Sequence, residues 1–199
     1  MPLTTYTSGE VLTAASLNDN LAYAVTVPAS TPGGLVCVQA ETAFSAVTSI
    51  TADSVFTSSY TNYKIMVRFT ATTQGSVSMQ LRAGGVAATS NYNFQRAISA
   101  GTLTSPIRYA SQSVFTIGDG SGGNFTESTW IEITGPNLAE ITNFWASFQQ
   151  SDGANTLPVI QTWMGNHSTA TAYDGIAISI AGGGTMTGTY TIYGYAKTV

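Results

Sequence analysis

The stretch Tyr-Lys-Ile-Met-Val-Arg-Phe-Thr at residues 63–70 places an apolar or aromatic side chain at Tyr63, Ile65, Val67 and Phe69, at every second position. Period two is the repeat of a β-strand, in which successive side chains point to opposite faces. The same alternation recurs at residues 77–82, 128–133, 176–180 and 190–196. Clusters of Gly, Asn, Ser and Pro separate the runs, and short strands with turns between them are typical of an antiparallel sandwich. We therefore predict an all-β antiparallel β-sandwich over residues 35–199.

The first 34 residues follow a different pattern. Thr13 can cap a helix N-terminus, and an apolar residue then recurs every fourth position, at Leu17, Leu21 and Val25. A helix of three turns is marginal in water by itself, so we expect this segment to dock on a partner. The predicted organisation is a helix-containing anchor and linker at residues 1–34, followed by a head at residues 35–199. The anchor contacts are assigned to Leu12, Leu17, Leu21 and Val25.

The chain is poor in charge. Only 8% of its 199 residues are charged, against roughly 25% in an average soluble domain, while 31 Thr and 21 Ser enrich the polar positions. Polar faces with so few charges give exposed strand edges little protection against pairing with another chain. We therefore predict a homo-oligomer, with a neutral monomer as the alternative.

The distribution of charge argues against several classes of partner. The net charge is −4, and no Lys or Arg precedes Lys64. A basic stripe that could neutralise phosphates is missing, so we expect no nucleic-acid binding. The sequence has neither the run of about 20 apolar residues that a membrane helix needs nor the basic, apolar start of a secretory signal, so we expect no membrane insertion.

Three features suggest chemistry at first sight. Gly118–Gly123 matches G-x-G-x-x-G, but that fingerprint needs a helix behind it, and the following residues read as a strand, so we predict a hairpin loop. His167 is the only histidine; without a nucleophile elbow it is interpreted as a surface-loop residue. Cys37 is the only cysteine and is predicted to be a small buried side chain.

Metal and catalytic sites are poorly supported. One His and one Cys are too few for structural zinc, and Asp119, Ser121 and Asn124 do not complete a calcium loop. Glu127 and Glu132 are five residues apart, which sends them to opposite faces of one strand. The pair Glu132 and Glu140 flanks a turn and leaves a glycoside-cleaving site open as an alternative. We predict a non-enzymatic protein without a cofactor or metal.

Recognition without chemistry needs only aromatic faces and polar groups near the surface. Such residues cluster in one segment, and the candidate binding residues are Trp163, Asn166, His167, Tyr173 and Asp174; a second group is Asn91, Tyr92 and Asn93. The alternative is that the Trp and Tyr residues are packed in the core or between subunits.

Two regions carry a resemblance to a known class of proteins. Residues 6–18, Tyr-Thr-Ser-Gly-Glu-Val-Leu-Thr-Ala-Ala-Ser-Leu-Asn, resemble an N-terminal segment of virion structural proteins from tailed bacteriophages. Residues 60–197 resemble small phage tail-fibre or receptor-binding proteins, in stretches that include Asn62–Val67, Met79–Gly85, Ser90–Asn93, Ala172–Gly175 and Thr187–Ala196.

The resemblance implies a jelly-roll-like head, usually a homotrimer, on an N-terminal anchor in the particle. It implies localisation in the virion after synthesis in the host cytoplasm, with other virion proteins and a host-surface glycan or protein as partners. It transfers no catalytic residues. We therefore expect a short tail fibre for host attachment, with a capsid-decoration or baseplate component and a polysaccharide depolymerase as alternatives.

Overall fold

The computed structural model describes residues 34–100, 103–151 and 158–197. These residues form thirteen strands: β1 (Leu35–Val47), β2 (Ser49–Ala52), β3 (Asn62–Ala71), β4 (Gly75–Ala83), β5 (Val86–Ala87), β6 (Tyr92–Ala100), β7 (Leu103–Gln112), β8 (Phe115–Gly120), β9 (Thr126–Thr134), β10 (Thr142–Ser151), β11 (Pro158–His167), β12 (Gly175–Ile180) and β13 (Met186–Tyr195). The described residues contain no helix with the length and hydropathy needed to cross a membrane. The predicted anchor, with Leu12, Leu17, Leu21 and Val25, lies outside the described residues.

The strands form two antiparallel sheets. The larger sheet has eight strands in the order β1-β13-β3-β9-β10-β11-β6-β7, and the smaller has the order β2-β12-β4-β5, with β8 also paired to β4. Residues 34–197 make up one compact unit. The prediction of an all-β antiparallel sandwich is confirmed.

The core lies between the two sheets, and the alternation read from the sequence decides which side chains fill it. Tyr63, Ile65, Val67 and Phe69 of β3 are buried. They and their neighbours in the larger sheet share one hydrophobic cluster with residues of the smaller sheet, which include Val77, Met79, Leu81, Ile117, Ile176 and Ile178. Full burial of such a side chain stabilises the fold by about 1.5–3 kcal/mol, so this cluster fixes the register of both sheets.

The glycine run does not form the predicted hairpin loop. Gly118 and Gly120 belong to β8 of the smaller sheet, and the chain then crosses to β9 of the larger sheet. A Cβ on Gly118 would lie 2.0 Å from a carbon of the Phe148 ring, and one on Gly122 would lie 2.4 Å from the Gln74 amide nitrogen. Glycine is required at Gly118 because the opposite sheet lies close to it, and at Gly122 because the turn between β3 and β4 does; a strand follows the run, as predicted.

The prediction for Cys37 is wrong, because this residue is exposed. It lies in β1, an edge strand of the larger sheet, opposite Tyr193 of β13. From β1, only the half-buried Val38 and Phe44 pack against the core. An apolar stretch on an edge strand can thus remain at the surface even though it reads as buried in the sequence.

Candidate functional site

Three of the five predicted binding residues lie in the interior. Trp163 is 1% exposed, His167 2% and Tyr173 5%, so their rings do not present a surface to a ligand. The structure corrects the expectation of an exposed aromatic site at these three positions and supports the alternative of core packing.

Trp163 is held in the core by its ring and its indole N–H. The ring centroid lies 5.9 Å from that of Phe94 and 6.4 Å from that of Tyr109, and the Arg96 guanidinium lies 5.3 Å from the ring centroid. Its Nε1 donates to the Gln161 side-chain oxygen at 3.2 Å. Because a buried indole N–H needs a partner, this residue is fully accommodated as a core side chain.

His167 is the last residue of β11 and not a surface-loop residue, which corrects the prediction. Its Nδ1 is 3.1 Å from the Tyr173 hydroxyl, and its ring lies edge-on to Tyr92 at 4.6 Å. Burial lowers the pKa of His167 below its usual 6.5, so the ring is neutral at pH 7. A neutral, paired and buried imidazole serves the packing of β11 against the loop before β12.

The remaining two predicted residues are partly exposed and lie in different settings. Asn166 accepts a hydrogen bond from the Asn93 amide at 3.3 Å. The Asp174 carboxylate accepts one from the Gly84 amide at 3.2 Å, and its main-chain oxygen accepts bonds from Val55 and Phe56. Asp174 therefore fastens loops, whereas Asn166 lies on the solvent-facing side of the larger sheet.

A polar cluster joins the two sheets, and its pairing favours a structural role. Asp119 on β8 pairs with Arg96 at 2.7 Å and accepts a hydrogen bond from the Ser76 hydroxyl at 2.8 Å. The Gln161 side-chain nitrogen donates hydrogen bonds to the Asp119 main-chain oxygen and to the Gln150 side-chain oxygen. The Gln161 side-chain oxygen accepts a hydrogen bond from the Asp119 main-chain N–H. Asp119 therefore already has partners for both carboxylate oxygens, and the described residues contain no group of three His, Cys, Asp or Glu placed to hold a metal.

Glu127 is a buried carboxyl group whose hydrogen bonds within the described residues all go to one of its two oxygens. Its Oε1 accepts hydrogen bonds from the amide and the hydroxyl of Ser121, each at 2.6 Å, while Oε2 has no partner among the residues that the structure describes. Burial raises the pKa of Glu127 above 4.5, and the two bonds from Ser121 oppose that rise. Burial therefore shifts the equilibrium of Glu127 toward the neutral acid relative to an exposed glutamate.

The raised pKa of Glu127 predicts a pH-dependent stability. Between pH 4.5, the unfolded value, and the higher folded pKa, Glu127 holds a proton in the native chain that the unfolded chain releases. The free energy of unfolding therefore falls as the pH rises through that window. Each unit of the rise corresponds to about 1.4 kcal/mol. We expect Glu127→Gln, which keeps an oxygen for Ser121, to gain stability relative to wild type from pH 4 to pH 8 in urea unfolding. A difference that does not change with pH would contradict this assignment.

Glu132 faces the opposite side of β9 from Glu127, as predicted. Its carboxylate pairs with Lys64 at 3.0 Å and accepts a hydrogen bond from the Tyr195 hydroxyl at 2.5 Å. Burial and this bond raise the pKa of Tyr195 to about 12, so the phenol remains a donor. The charge of Glu132 is thereby compensated within the sheet surface.

The solvent-facing side of the larger sheet carries large apolar side chains. Trp145 is 47% exposed and Met164 51%, and Met66 and Trp130 are similarly accessible. These residues stand at the solvent-facing positions of their strands, which are usually polar in an antiparallel sheet. A sheet face with two accessible tryptophans has flat apolar surfaces available for contact with another molecule.

One cross-strand row on this face leads into a groove. Trp145, Met164, Gln95 and Arg108 lie opposite one another on β10, β11, β6 and β7, and we call these four residues the outer row. The groove has a volume of about 750 Å³ and lies over β6, β7 and β11. Its lining includes three outer-row residues and further polar residues, among them Asn93, Thr162 and Asn166. This groove is the candidate functional site.

Arg108 is the exposed cation of the groove. With the Gln95 amide oriented so that its oxygen faces the guanidinium, that oxygen accepts from Nη2 at 3.0 Å and from Nε at 3.1 Å. Within the described part of the chain Arg108 forms no ion pair, whereas Arg96 beneath the groove is paired with Asp119. The groove therefore presents an oriented positive charge that no acidic side chain of the described residues pairs with.

The sequence indicated this site only in part. Asn166 and Asn93 were among the candidates, but Trp145, Met164, Gln95 and Arg108 were not. The sequence feature that points to such a surface is a tryptophan or methionine at a position where the alternation predicts a polar, solvent-facing residue, as at Met66 and Trp130. The pairing of β10, β11, β6 and β7 that aligns the outer row comes from the structure.

Comparisons with known proteins show distant likenesses. No protein-family model and no curated protein matches the sequence. The crystal structure of galectin LEC-6 from Caenorhabditis elegans is similar over 76% of this chain and 94% of its own, with 12% identity and a TM-score of 0.35. That of a protein of unknown function from Shewanella oneidensis MR-1 is similar over 92% of this chain and 97% of its own, with 9% identity and a TM-score of 0.25. At these TM-scores, nothing about a ligand or an activity is transferred to this chain.

Proposed function

We propose that this chain is a non-enzymatic virion protein of a tailed bacteriophage, a short tail fibre that attaches the particle to its host. Residues 1–34 dock on other virion proteins through the helical stripe of Leu12, Leu17, Leu21 and Val25. The sandwich is a jelly-roll-like head, and the outer face of its larger sheet contacts the host surface. The resemblance of residues 6–18 and 60–197 to phage virion proteins motivates the virion assignment.

The observation that supports surface recognition is the outer row beside its groove. An exposed tryptophan and amide side chains on a rigid sheet meet the needs of a binding site for a polar, partly apolar surface such as a glycan. The candidate catalytic carboxylate, Glu132, is paired with Lys64 and Tyr195. This favours adhesion over cleavage of a polysaccharide.

The edge strand β1 supports association with another copy of the chain, and the resemblance to phage proteins implies that the assembly is a homotrimer. It runs for 13 residues at the edge of the larger sheet, and Glu41 is its single charged residue. A long edge strand with little charge is prone to pair with or be covered by another chain. In the proposed assembly a sister subunit covers this edge.

Removal of residues 1–34 tests the proposed function. We expect residues 35–199 to keep the circular dichroism of a β-protein, because all of the described strands lie within them, but to be absent from purified particles. Particles assembled when only the truncated chain is supplied should adsorb poorly to host cells, since the head fails to join them. Quantitative immunoblots of particles and adsorption counts provide the two measurements.

A matched pair of full-length variants distinguishes the loss of the docking contacts from the mere shortening of the chain. Leu17→Asp places a charge on the apolar stripe and should reduce incorporation, whereas Asn18→Asp places the same charge beside it and should incorporate normally. Normal incorporation of the truncated chain would refute the anchor. Normal adsorption by particles without the head would refute host attachment and favour a structural role in the capsid or baseplate.

A further inference from the structure

Resting on the proposed function, we infer that the outer-face groove binds an acidic oligosaccharide. Arg108 pairs with a carboxylate or phosphate substituent of the ligand, and Trp145 stacks on the apolar face of a sugar ring. This assigns a ligand chemistry to the site, which the attachment role alone does not do.

The charge of the groove favours an anionic group. None of the described residues that line it is acidic, and two of them are arginines. Arg96 is compensated by Asp119, so Arg108 supplies the positive charge that lacks an acidic partner among the described residues. On the same face, Glu132 lies opposite Trp145 but is neutralised by Lys64. An anion that approaches the groove therefore meets a local positive charge, although the whole chain has a net charge of −4.

The geometry of Arg108 is suited to an oxyanion. A guanidinium has five N–H donors, and two of them donate to Gln95, which leaves three without a partner among the described residues. Arginine binds carboxylate and phosphate through parallel N–H donors. Because Gln95 already fixes the orientation of the fork, less conformational entropy is lost when the anion binds.

The length of the outer row favours an oligosaccharide over a single sugar. Trp145 on β10 and Arg108 on β7 are separated by three strand intervals, or about 14 Å at a spacing of roughly 4.8 Å. A ligand that contacts both must extend across β11 and β6, where Met164 offers an apolar contact. Gln95 and Asn166 provide amide groups for hydroxyls along the same path.

The test is binding of the full-length chain to immobilised oligosaccharides in three sets: neutral, uronate-bearing and phosphate-bearing. We expect binding to at least one anionic set and weaker binding at higher salt, because exposed charges are screened. Arg108→Gln should weaken that binding about 10- to 100-fold, the effect of losing a hydrogen bond to a charged group. The two anionic sets distinguish a carboxylate from a phosphate.

Arg68→Gln is the matched control. Arg68 is also exposed on the outer face of the larger sheet, but it lies on β3, away from the groove, and should bind like wild type. Binding to neutral sugars alone, equal effects of the two substitutions, or no binding to either anionic set would overturn the inference. If the chain then still binds host cells, host attachment survives; if it does not, the proposed function fails as well.

Discussion

Trp163→Ala is expected to lower the free energy of unfolding by about 3–5 kcal/mol, the usual cost of truncating a large buried aromatic side chain. The ring lies among Phe94, Tyr109 and Arg96, so alanine leaves a cavity between these groups. It also removes the N–H that pairs with Gln161. A loss of this size is a large part of the 5–15 kcal/mol that stabilises a typical domain. Equilibrium unfolding in urea measures it.

Trp145→Ala is the matched control, because it removes the same side chain from the solvent-facing side of the same sheet. We expect it to cost less than about 1 kcal/mol, the range of a cross-strand pair on an exposed face. Similar losses for the two variants would contradict the division of the sheet into a packed inner face and an accessible outer face.

The sequence was sufficient to predict the fold class because several strands obey simple alternation. In β3 and β12 the alternating apolar residues are also the buried ones, so Ile65 and Ile178 could be assigned to the core directly. The pairing order of the strands could not be predicted, since contacts such as β13 with β3 join residues far apart in the chain. The close approach of Phe148 to Gly118 was hidden for the same reason.

The candidate site was harder to predict because β11 inverts the usual pattern. Its buried face includes Gln161 and His167, which are tolerated inside because each has a hydrogen-bonding partner. Its exposed face includes Ile160 and Met164. Hydropathy alone therefore assigned the end of this strand to a loop and its aromatic residue, Trp163, to the surface. The exposures in the folded chain show which face of β11 is buried, and the hydrogen bonds explain why polar side chains are tolerated there.

The purified full-length chain is expected to inhibit adsorption of particles to host cells, because it occupies the same surface groups that the particle needs. Trp145→Ala should raise the concentration required by at least about tenfold, the effect of losing one central aromatic contact. Trp130→Ala is the matched variant: Trp130 is an exposed tryptophan on the same face, but it lies outside the outer row and should have a smaller effect. Circular dichroism and urea unfolding of both variants confirm that they are folded.

Competition for adsorption therefore tests most directly whether this sandwich attaches a particle to its host. We predict that wild-type chain reduces the number of adsorbed particles in a concentration-dependent manner, that Trp130→Ala does so at a similar concentration, and that Trp145→Ala does so poorly. Unchanged adsorption at saturating wild-type chain, or equal inhibition by all three proteins, would contradict attachment through the outer row.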